Sequence, residues 1–180
     1  MSFAAPEPID PLDPLDVPAG PVTLYVDDLK SHVGEILGYS SWHLVTQDQV
    51  NEFAEATGDH QWIHVDPERA LAGPFGHTIA HGYLTLALGP VLLWEVLEVA
   101  GAGVVVNYGA NRVRFPTPVP VGSSVRAVVQ LLAVEEVAGG VQAALGMTFE
   151  IDSSPKPACV AEILFRYYRA TRAEAPERTD

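Results

Sequence analysis

The spacing of apolar residues in the first hundred positions favours helices. Thr46 and Gln49 have the spacing of a capping box, apolar positions follow at helical intervals, and Gly58 is a common helix stop. One helix is therefore predicted between Thr46 and Gly58. The segment from Ile79 to Val99 is apolar almost all round, which predicts a long helix buried on most sides. A kink is expected at Gly89-Pro90, because proline removes one internal hydrogen bond.

From residue 103 onward the pattern changes to the alternation that is typical of strands. Gly139 and Gly140 lie between two long alternating runs, as in a hairpin. The predicted strands are Val104–Tyr108, Asn111–Phe115, Ser124–Val137, Val141–Ile151 and Ala158–Tyr168. One long apolar helix followed by four or five strands predicts an α+β architecture, in which a sheet wraps around the helix.

Charge is distributed unevenly along the chain. The 180 residues include 23 acids and 10 bases, for a formal net charge of −13, which argues against binding to the phosphate backbone of nucleic acid. Six prolines and no lysine or arginine fall within the first 21 positions. The composition predicts an extended acidic arm over residues 1–26, a single domain over residues 27–170 and a frayed charged tail over residues 171–180.

The expected compartment is the cytoplasm. Cys159 is the single cysteine, which excludes an internal disulfide and suits a reducing environment. The first residues lack a basic region followed by an apolar run, so no signal peptide is expected. The uncharged stretch from Gly82 to Trp94 is shorter than the roughly 20 residues of a membrane-spanning helix, so we expect no membrane insertion.

Titratable side chains crowd into the polar loop that precedes the apolar helix. They are Asp59, His60, His64, Asp66, His77 and His81. Ligand pockets and perturbed pKa values tend to occur where a polar loop abuts an apolar core. The simplest alternative is that these side chains cap helices and satisfy backbone groups.

A metal site is one chemical interpretation of this loop. His60 and His64 are four residues apart, as are His77 and His81, a spacing that places two ligands on one helix face. The glycines and prolines of the loop limit any helix there, and no glutamate stands between the paired histidines as it does in metalloproteases. We therefore predict no metal site.

Acid–base catalysis by Asp59 and His64 is the second interpretation, because a turn could aim both side chains at one water molecule. Gly82 opens the apolar helix, where free backbone N–H groups coincide with the positive end of the helix dipole. A glycine there lets a substrate carbonyl approach closely. These groups together point to the addition of water to a double bond conjugated to a carbonyl, or to its loss.

The segment from Ala56 to Ala70 resembles the hydratase signature of the MaoC-like family. The matching positions are Gly58, Asp59, Ile63, His64, Asp66 and Ala70. Gln61 and Trp62 stand where the family more often has Asn-Pro, and this variant resembles the nodulation protein N-like branch. Ile79-Ala80-His81-Gly82 is similar to the family's helix entrance, and residues 107–116 are similar to that branch's following strand.

The resemblance covers roughly residues 34–168 and implies a hot-dog fold, a curved antiparallel sheet wrapped around a long central helix. It implies that Asp59 and His64 activate water and that the Gly82 amide donates to the thioester oxygen. The implied reaction is reversible hydration of a trans-2-enoyl thioester to the (3R)-3-hydroxyacyl thioester in fatty-acid metabolism. A homodimer is also implied, with no metal or redox cofactor, and coenzyme A or a carrier phosphopantetheine as part of the substrate.

Four further residues are candidates for contact with the substrate. Arg112 and Arg114 share one strand face and could meet the phosphates of a coenzyme A or carrier-protein thioester. Trp62 could narrow the tunnel for the acyl chain, and His81 could orient the helix entrance or contact the ligand.

Three rival functions fit the same residues. A thioesterase would share the fold but hydrolyse the thioester, and a non-catalytic acyl-thioester binder would keep the pocket without turnover. A metal-dependent hydrolase would use the four clustered histidines. The spacing of Asp59 and His64 favours the hydratase.

Overall fold

The fold consists of one large antiparallel sheet, a small parallel sheet and short helices. A computed structural model describes residues 20–171; the predicted tail from residue 172 and the arm up to residue 19 lie outside the described residues. The helices are α1 (Gln47–Thr57), α2 (Trp62–Val65), α3 (Pro67–Leu71), α4 (Gly82–Ala87) and α5 (Gly89–Trp94). The strands are β1 (Val22–Tyr25), β2 (Ile36–Tyr39), β3 (His43–Leu44), β4 (Leu97–Ala100), β5 (Ala102–Arg114), β6 (Ser124–Val137), β7 (Gly140–Ile151) and β8 (Ser154–Arg169).

The large sheet has the order β2-β6-β7-β8-β5, with β3 also paired to β6 and every neighbouring pair antiparallel. Alternate residues of β8, including Ala161, Ile163 and Phe165, are buried on the inner face of the sheet. Helix α4 packs against β8, and α5 packs against β6. The predicted α+β class, a mostly antiparallel sheet packed against a central helix, is confirmed.

The central helix is shorter than predicted. In place of one helix over Ile79–Val99, α4 and α5 are separated at Leu88, and Leu97–Ala100 forms strand β4. The break at Leu88 directly precedes Gly89-Pro90, where the kink was expected, and the proline lies in the first turn of α5, where its missing N–H needs no partner within the helix. The predicted end of the helix at Val99 was wrong. An apolar run can form either a helix or a strand, and pairing with β1 stabilises the strand.

The domain also begins earlier than predicted. Strand β1 lies within the predicted arm, yet it pairs in parallel with β4, Val22 opposite Leu97. Leu24 and Val26 are buried in the main core. The boundary at residue 27 is therefore wrong for residues 20–26: their alternating apolar positions form a strand despite the prolines and acids before them.

The two short strands predicted before residue 116 form one strand, β5. Its pairing with β8 shifts register between Asn107 and Gly109 and again between Ala110 and Arg112, so bulges interrupt the alternation without ending the strand. The β6–β7 hairpin turns as predicted, with Gly139 at a φ of 79°. Within residues 20–171, no helix is both long and apolar enough to cross a membrane.

Candidate active site

Helix α1 sets the position of Asp59. Thr46 accepts a hydrogen bond from the Gln49 backbone N–H at 3.2 Å, which caps the helix start as predicted. At the other end, Gly58 adopts a left-handed conformation with a φ of 79°, and its N–H donates to the Ala54 carbonyl at 2.8 Å. The chain therefore turns away from the helix axis one residue before Asp59.

His64 is held in a fixed orientation on the short helix α2. The residue is buried, and its Nδ1–H donates to the backbone carbonyl of Ile79 at 2.7 Å. The Ile79 N–H in turn donates to the carbonyl of Ile63 at 3.0 Å, which ties the segment to the entrance of α4. Because a carbonyl can only accept, Nδ1 carries the proton in the neutral ring and Nε2 keeps its lone pair.

The structure brings Asp59, His64 and His81 together. A carboxylate oxygen of Asp59 and a ring nitrogen of each histidine all lie within 4.8 Å of one another. The two imidazole rings are stacked, with centroids 3.8 Å apart and planes 26° from parallel. The predicted pairing of Asp59 with His64 is thus supported by the geometry, and His81 is a third group at the same place.

The other two histidines of the loop lie elsewhere. His60 is exposed and faces Glu55, with Nδ1 and Oε1 3.8 Å apart. The His77 Nδ1 bonds to the backbone carbonyl of Thr78 at 3.2 Å. Neither of the four-residue histidine pairs forms a shared site.

Stacking makes the Asp59, His64 and His81 cluster a poor metal site. A metal ion bound by an imidazole lies close to the plane of that ring, along the nitrogen lone pair. Stacked rings that are only 26° from parallel direct their lone pairs side by side rather than at one point. One ring would have to turn and break its hydrogen bond to a backbone carbonyl before both could share an ion.

Burial controls the protonation of His64. Removal from water lowers the pKa of His64 below its ordinary value of 6.5, and the positive charge that His81 can carry lowers it further. The hydrogen bond to Ile79 and the nearby Asp59 carboxylate act in the opposite direction without cancelling the effect of burial. The imidazole is therefore neutral at neutral pH, so the lone pair of its Nε2 can accept a proton.

This pKa shift predicts a contribution of His64 to acid sensitivity. In the unfolded chain, His64 binds its proton near pH 6.5, whereas the folded protein binds it only at lower pH. Between these two pKa values the unfolded state binds more protons, so acidification favours unfolding. We expect the free energy of unfolding, measured by urea titration, to fall more between pH 7 and pH 5 in the wild type than in His64→Asn. Equal losses in the two proteins would contradict this prediction.

Gln47, at the start of α1, fixes the backbone around His64 and was not predicted from the sequence. Its Nε2 donates to the His64 carbonyl at 2.7 Å and to the Asn51 Oδ1 at 2.9 Å. Its Oε1 accepts from the Thr78 hydroxyl, also at 2.7 Å. One amide therefore joins three segments that are distant in sequence, a role that no local pattern indicates.

Replacing this amide tests its importance. In Gln47→Ala, the His64 carbonyl and the Thr78 hydroxyl lose their partners, a cost of about 1–3 kcal/mol for buried groups. We expect a lower melting temperature and a kcat reduced about tenfold, because the His64 segment loses its anchor. Asn51→Ala is the matched control, since it removes only the bond to Asn51 and should leave kcat unchanged. Wild-type kcat in Gln47→Ala would show that the anchor is dispensable.

A cavity of about 280 Å³ lies beside His64. Its lining is mostly apolar and consists of His64, Phe75, Ile79, Ala80, Gly82, Thr85, Phe115, Thr117, Pro118, Val119 and Ala158. Gly82 is the first residue of α4, where N–H groups have no partner within the helix. The cavity therefore offers apolar walls, one imidazole and one helix entrance, an arrangement suited to an acyl chain with a reactive carbonyl.

The remaining predicted residues lie around this cavity rather than in its wall. Trp62 is half-buried, with the Arg69 guanidinium 4.5 Å from its ring, and a Cβ on Gly73 would lie 2.8 Å from the ring. These contacts give Trp62 a packing role in the described chain. Arg112 and Arg114 are exposed on β5, just before the cavity residue Phe115. Their contact with substrate stays a prediction.

Two residues of secondary interest have structural roles. Asp66 caps α3 by accepting a hydrogen bond from the Arg69 N–H at 3.0 Å. Cys159 is fully buried in β8, and burial raises the pKa of its thiol to about 12. A thiol of this kind is unreactive at neutral pH.

The fold and the Asp59–His64 pair are features by which a protein family can be recognised. Comparison with known sequences identifies that family. Residues 28–148 match the family described as the MaoC like domain, and the chain belongs to that family. The resemblance of the segment around Asp59 and His64 is thereby confirmed.

Individual relatives agree with this assignment. The chain is 58% identical over 143 residues to 3-hydroxyacyl-thioester dehydratase Z of Mycobacterium tuberculosis, covering 79% of this chain and 95% of that protein. It is 44% identical over 140 residues to nodulation protein N of Rhizobium meliloti, covering 76% and 86% of the two chains. Among solved structures, the (R)-hydratase from A. caviae involved in PHA biosynthesis superposes with a TM-score of 0.62 at 25% identity, covering 74% of this chain and 96% of that one.

Proposed function

We propose that the protein is a hydro-lyase that reversibly hydrates trans-2-enoyl thioesters to (3R)-3-hydroxyacyl thioesters in fatty-acid metabolism. The observation that carries the proposal is the meeting of the Asp59 carboxylate with the His64 ring, which itself lines an apolar cavity. Two relatives, named as a 3-hydroxyacyl-thioester dehydratase and an (R)-hydratase, support the same reaction class.

The proposed chemistry uses Asp59, His64 and Gly82. The water oxygen forms a bond to C3 of the enoyl group while one water proton passes to the Asp59–His64 pair. The electrons of the C2=C3 bond move toward the thioester oxygen, whose developing negative charge accepts a hydrogen bond from the Gly82 N–H. The pair then delivers a proton to C2, and dehydration runs through the same steps in reverse.

The remaining parts of the substrate are proposed to contact the surroundings of the cavity. Coenzyme A or a carrier phosphopantetheine enters as part of the substrate, and the reaction requires no metal or redox cofactor. Arg112 and Arg114 would meet its phosphates on the exposed face of β5. Trp62 and His81 would shape the approach to the helix entrance. A cytoplasmic setting fits the single, buried Cys159.

Incubation of the purified protein with crotonyl-coenzyme A tests the proposal. We expect the absorbance of the conjugated enoyl thioester to disappear and the (3R)-hydroxy product to form. Release of free thiol would identify a thioesterase, and binding without turnover across several chain lengths would identify an acyl-thioester binder. Loss of activity after chelation would favour the metal-dependent hydrolase.

A homodimer that joins two sheets is the proposed assembly. Strand β5 is an edge of the large sheet, paired only with β8 among the described residues. It exposes a row of large apolar side chains: Val104, Val105, Val106 and Tyr108. A long, apolar edge strand is a template for pairing with another chain, and a second copy would cover it.

A charge on this edge is expected to separate the protomers. We expect the wild type to sediment as a dimer. Val105→Lys would bury an ammonium group at the dimer interface, so we expect this variant to sediment as a monomer. Val91→Lys, on an exposed position of α5, is the matched control and should remain dimeric. A monomeric wild type, or a dimeric Val105→Lys, would contradict the assembly.

A further inference from the structure

His81 is almost completely buried beside Asp59 and His64. The residue is only 3% exposed. Its ring stacks on the ring of His64, at 3.8 Å between centroids, and contacts the tilted ring of Phe53, at 5.1 Å. This close packing leaves the imidazole little freedom to rotate.

The hydrogen bonding of His81 defines its tautomer. The Nε2 lies 2.9 Å from the backbone carbonyl of Asp59, which can only accept, so Nε2 carries the proton. The Nδ1 is buried and has no hydrogen-bond partner within residues 20–171. The ring is therefore held by donation through Nε2 alone among the described residues.

His81 thus contacts both members of the reactive pair by different means. Its N–H holds the backbone of Asp59, 22 residues earlier in the chain, and its face supports the ring of His64, 17 residues earlier. It also lies directly before Gly82, the first residue of α4. One rigid side chain therefore connects the backbone of Asp59, the imidazole of His64 and the helix entrance.

We propose that His81 is a positioning residue for the hydration reaction: its Nε2–H holds the backbone of Asp59 while its ring stacks on His64, which fixes the two side chains relative to each other. This inference rests on the proposed function. It differs from the expectation that His81 binds substrate, because a positioning residue affects turnover rather than affinity.

Two substitutions separate the hydrogen bond from the ring. His81→Gln loses the ring but retains an amide N–H near the place of Nε2, whereas His81→Phe retains a stacked ring without a donor. We expect kcat in His81→Phe to fall about 10²-fold with KM unchanged, because misplaced catalytic groups cost turnover on this scale. His81→Gln should recover at least about tenfold of that loss. His77→Gln, outside the cluster, is the control and should match the wild type.

The outcomes are distinct. Wild-type kcat in His81→Phe, or equal kcat in His81→Gln and His81→Phe, would overturn the proposal. A rise in KM with kcat unchanged would also overturn it and make His81 a binding residue.

A second readout does not depend on activity. The amide signals of residues 58–61 in NMR spectra of the full chain should broaden in His81→Phe, because the turn loses its anchor, and remain sharp in His81→Gln. Sharp signals in both variants would overturn the positioning role. An inactive wild type that still shows this difference would refute the hydratase function and leave the anchoring of Asp59 by His81 in place.

Discussion

His64→Asn is expected to fold normally and to hydrate crotonyl-coenzyme A at least about 10²-fold more slowly than the wild type, the contribution of a positioned acid–base group. The asparagine amide can donate where Nδ1 of the histidine donates, so the Ile79 carbonyl keeps its partner. Only the Nε2 side of the ring is lost. The substitution therefore removes the nitrogen with the free lone pair and leaves the anchor of the segment.

Asp59→Asn complements this variant on the carboxylate side. The Asp59 Oδ1 accepts from the Gln61 N–H at 3.4 Å, and an asparagine oxygen can do the same, so the turn is preserved while the charge is removed. We expect a loss of similar size. Because the two groups act on one water molecule, the double variant should be little slower than either single variant.

The control for both variants is His60→Asn, which alters an exposed histidine in the same loop and should keep the wild-type rate. The measurement is kcat at neutral pH, with melting temperatures to confirm folding. Wild-type rates in both His64→Asn and Asp59→Asn would show that the pair does not carry the reaction. Full loss in the double variant alone would show that each group can replace the other.

The elements that could be predicted from the sequence are those specified by local signals. Helix α1 has a threonine cap at one end and a left-handed glycine at the other, and both devices act within four residues. Strands β6, β7 and β8 each carry an alternation of a dozen residues or more, long enough to exclude a helix.

The errors occurred where distant segments decide the conformation. Residues 97–100 continue an apolar helical pattern, but they pair with residues 22–25, about 75 positions earlier, and form a strand. Neither segment indicates the other by composition, and the acids and prolines at the start of the chain favoured an extended arm. The apparent arm and the end of the apparent helix are therefore two halves of one small sheet.

The same distinction between local signals and contacts of distant segments applies to the candidate active site. Asp59 and His64 are five positions apart, so a motif can carry both, and the family resemblance found them. His81 and Gln47 reach the pair from 17 residues on either side of His64, through a stacked ring and a backbone hydrogen bond. Such contacts depend on the folded geometry, which explains why His81 was expected at the ligand and Gln47 was not expected at all.

Gly82→Ala is expected to lower kcat/KM by about 10- to 100-fold without loss of stability. The backbone of Gly82 lies outside the left-handed region, and alanine is the better helix former, so α4 itself tolerates the change. The added Cβ, however, would lie 3.1 Å from the ring of Phe115, closer than an ordinary contact. Both residues line the cavity, so the methyl group and the displaced ring obstruct the approach of the thioester carbonyl to the helix entrance.

Gly89→Ala provides the matched control for this prediction. Gly89 is the first residue of α5, and its added Cβ would lie 3.5 Å from Phe149, an ordinary contact, so kcat/KM should not change. Phe115→Leu combined with Gly82→Ala should restore part of the lost activity, because the smaller side chain makes room for the methyl group. If Gly82→Ala retained the wild-type kcat/KM, the thioester would have to approach from another side of the cavity. If Gly82→Ala and Gly89→Ala lowered the melting temperature equally, the role of Gly82 would instead be helix packing. The two positions differ in that only a methyl group at Gly82 would obstruct the cavity.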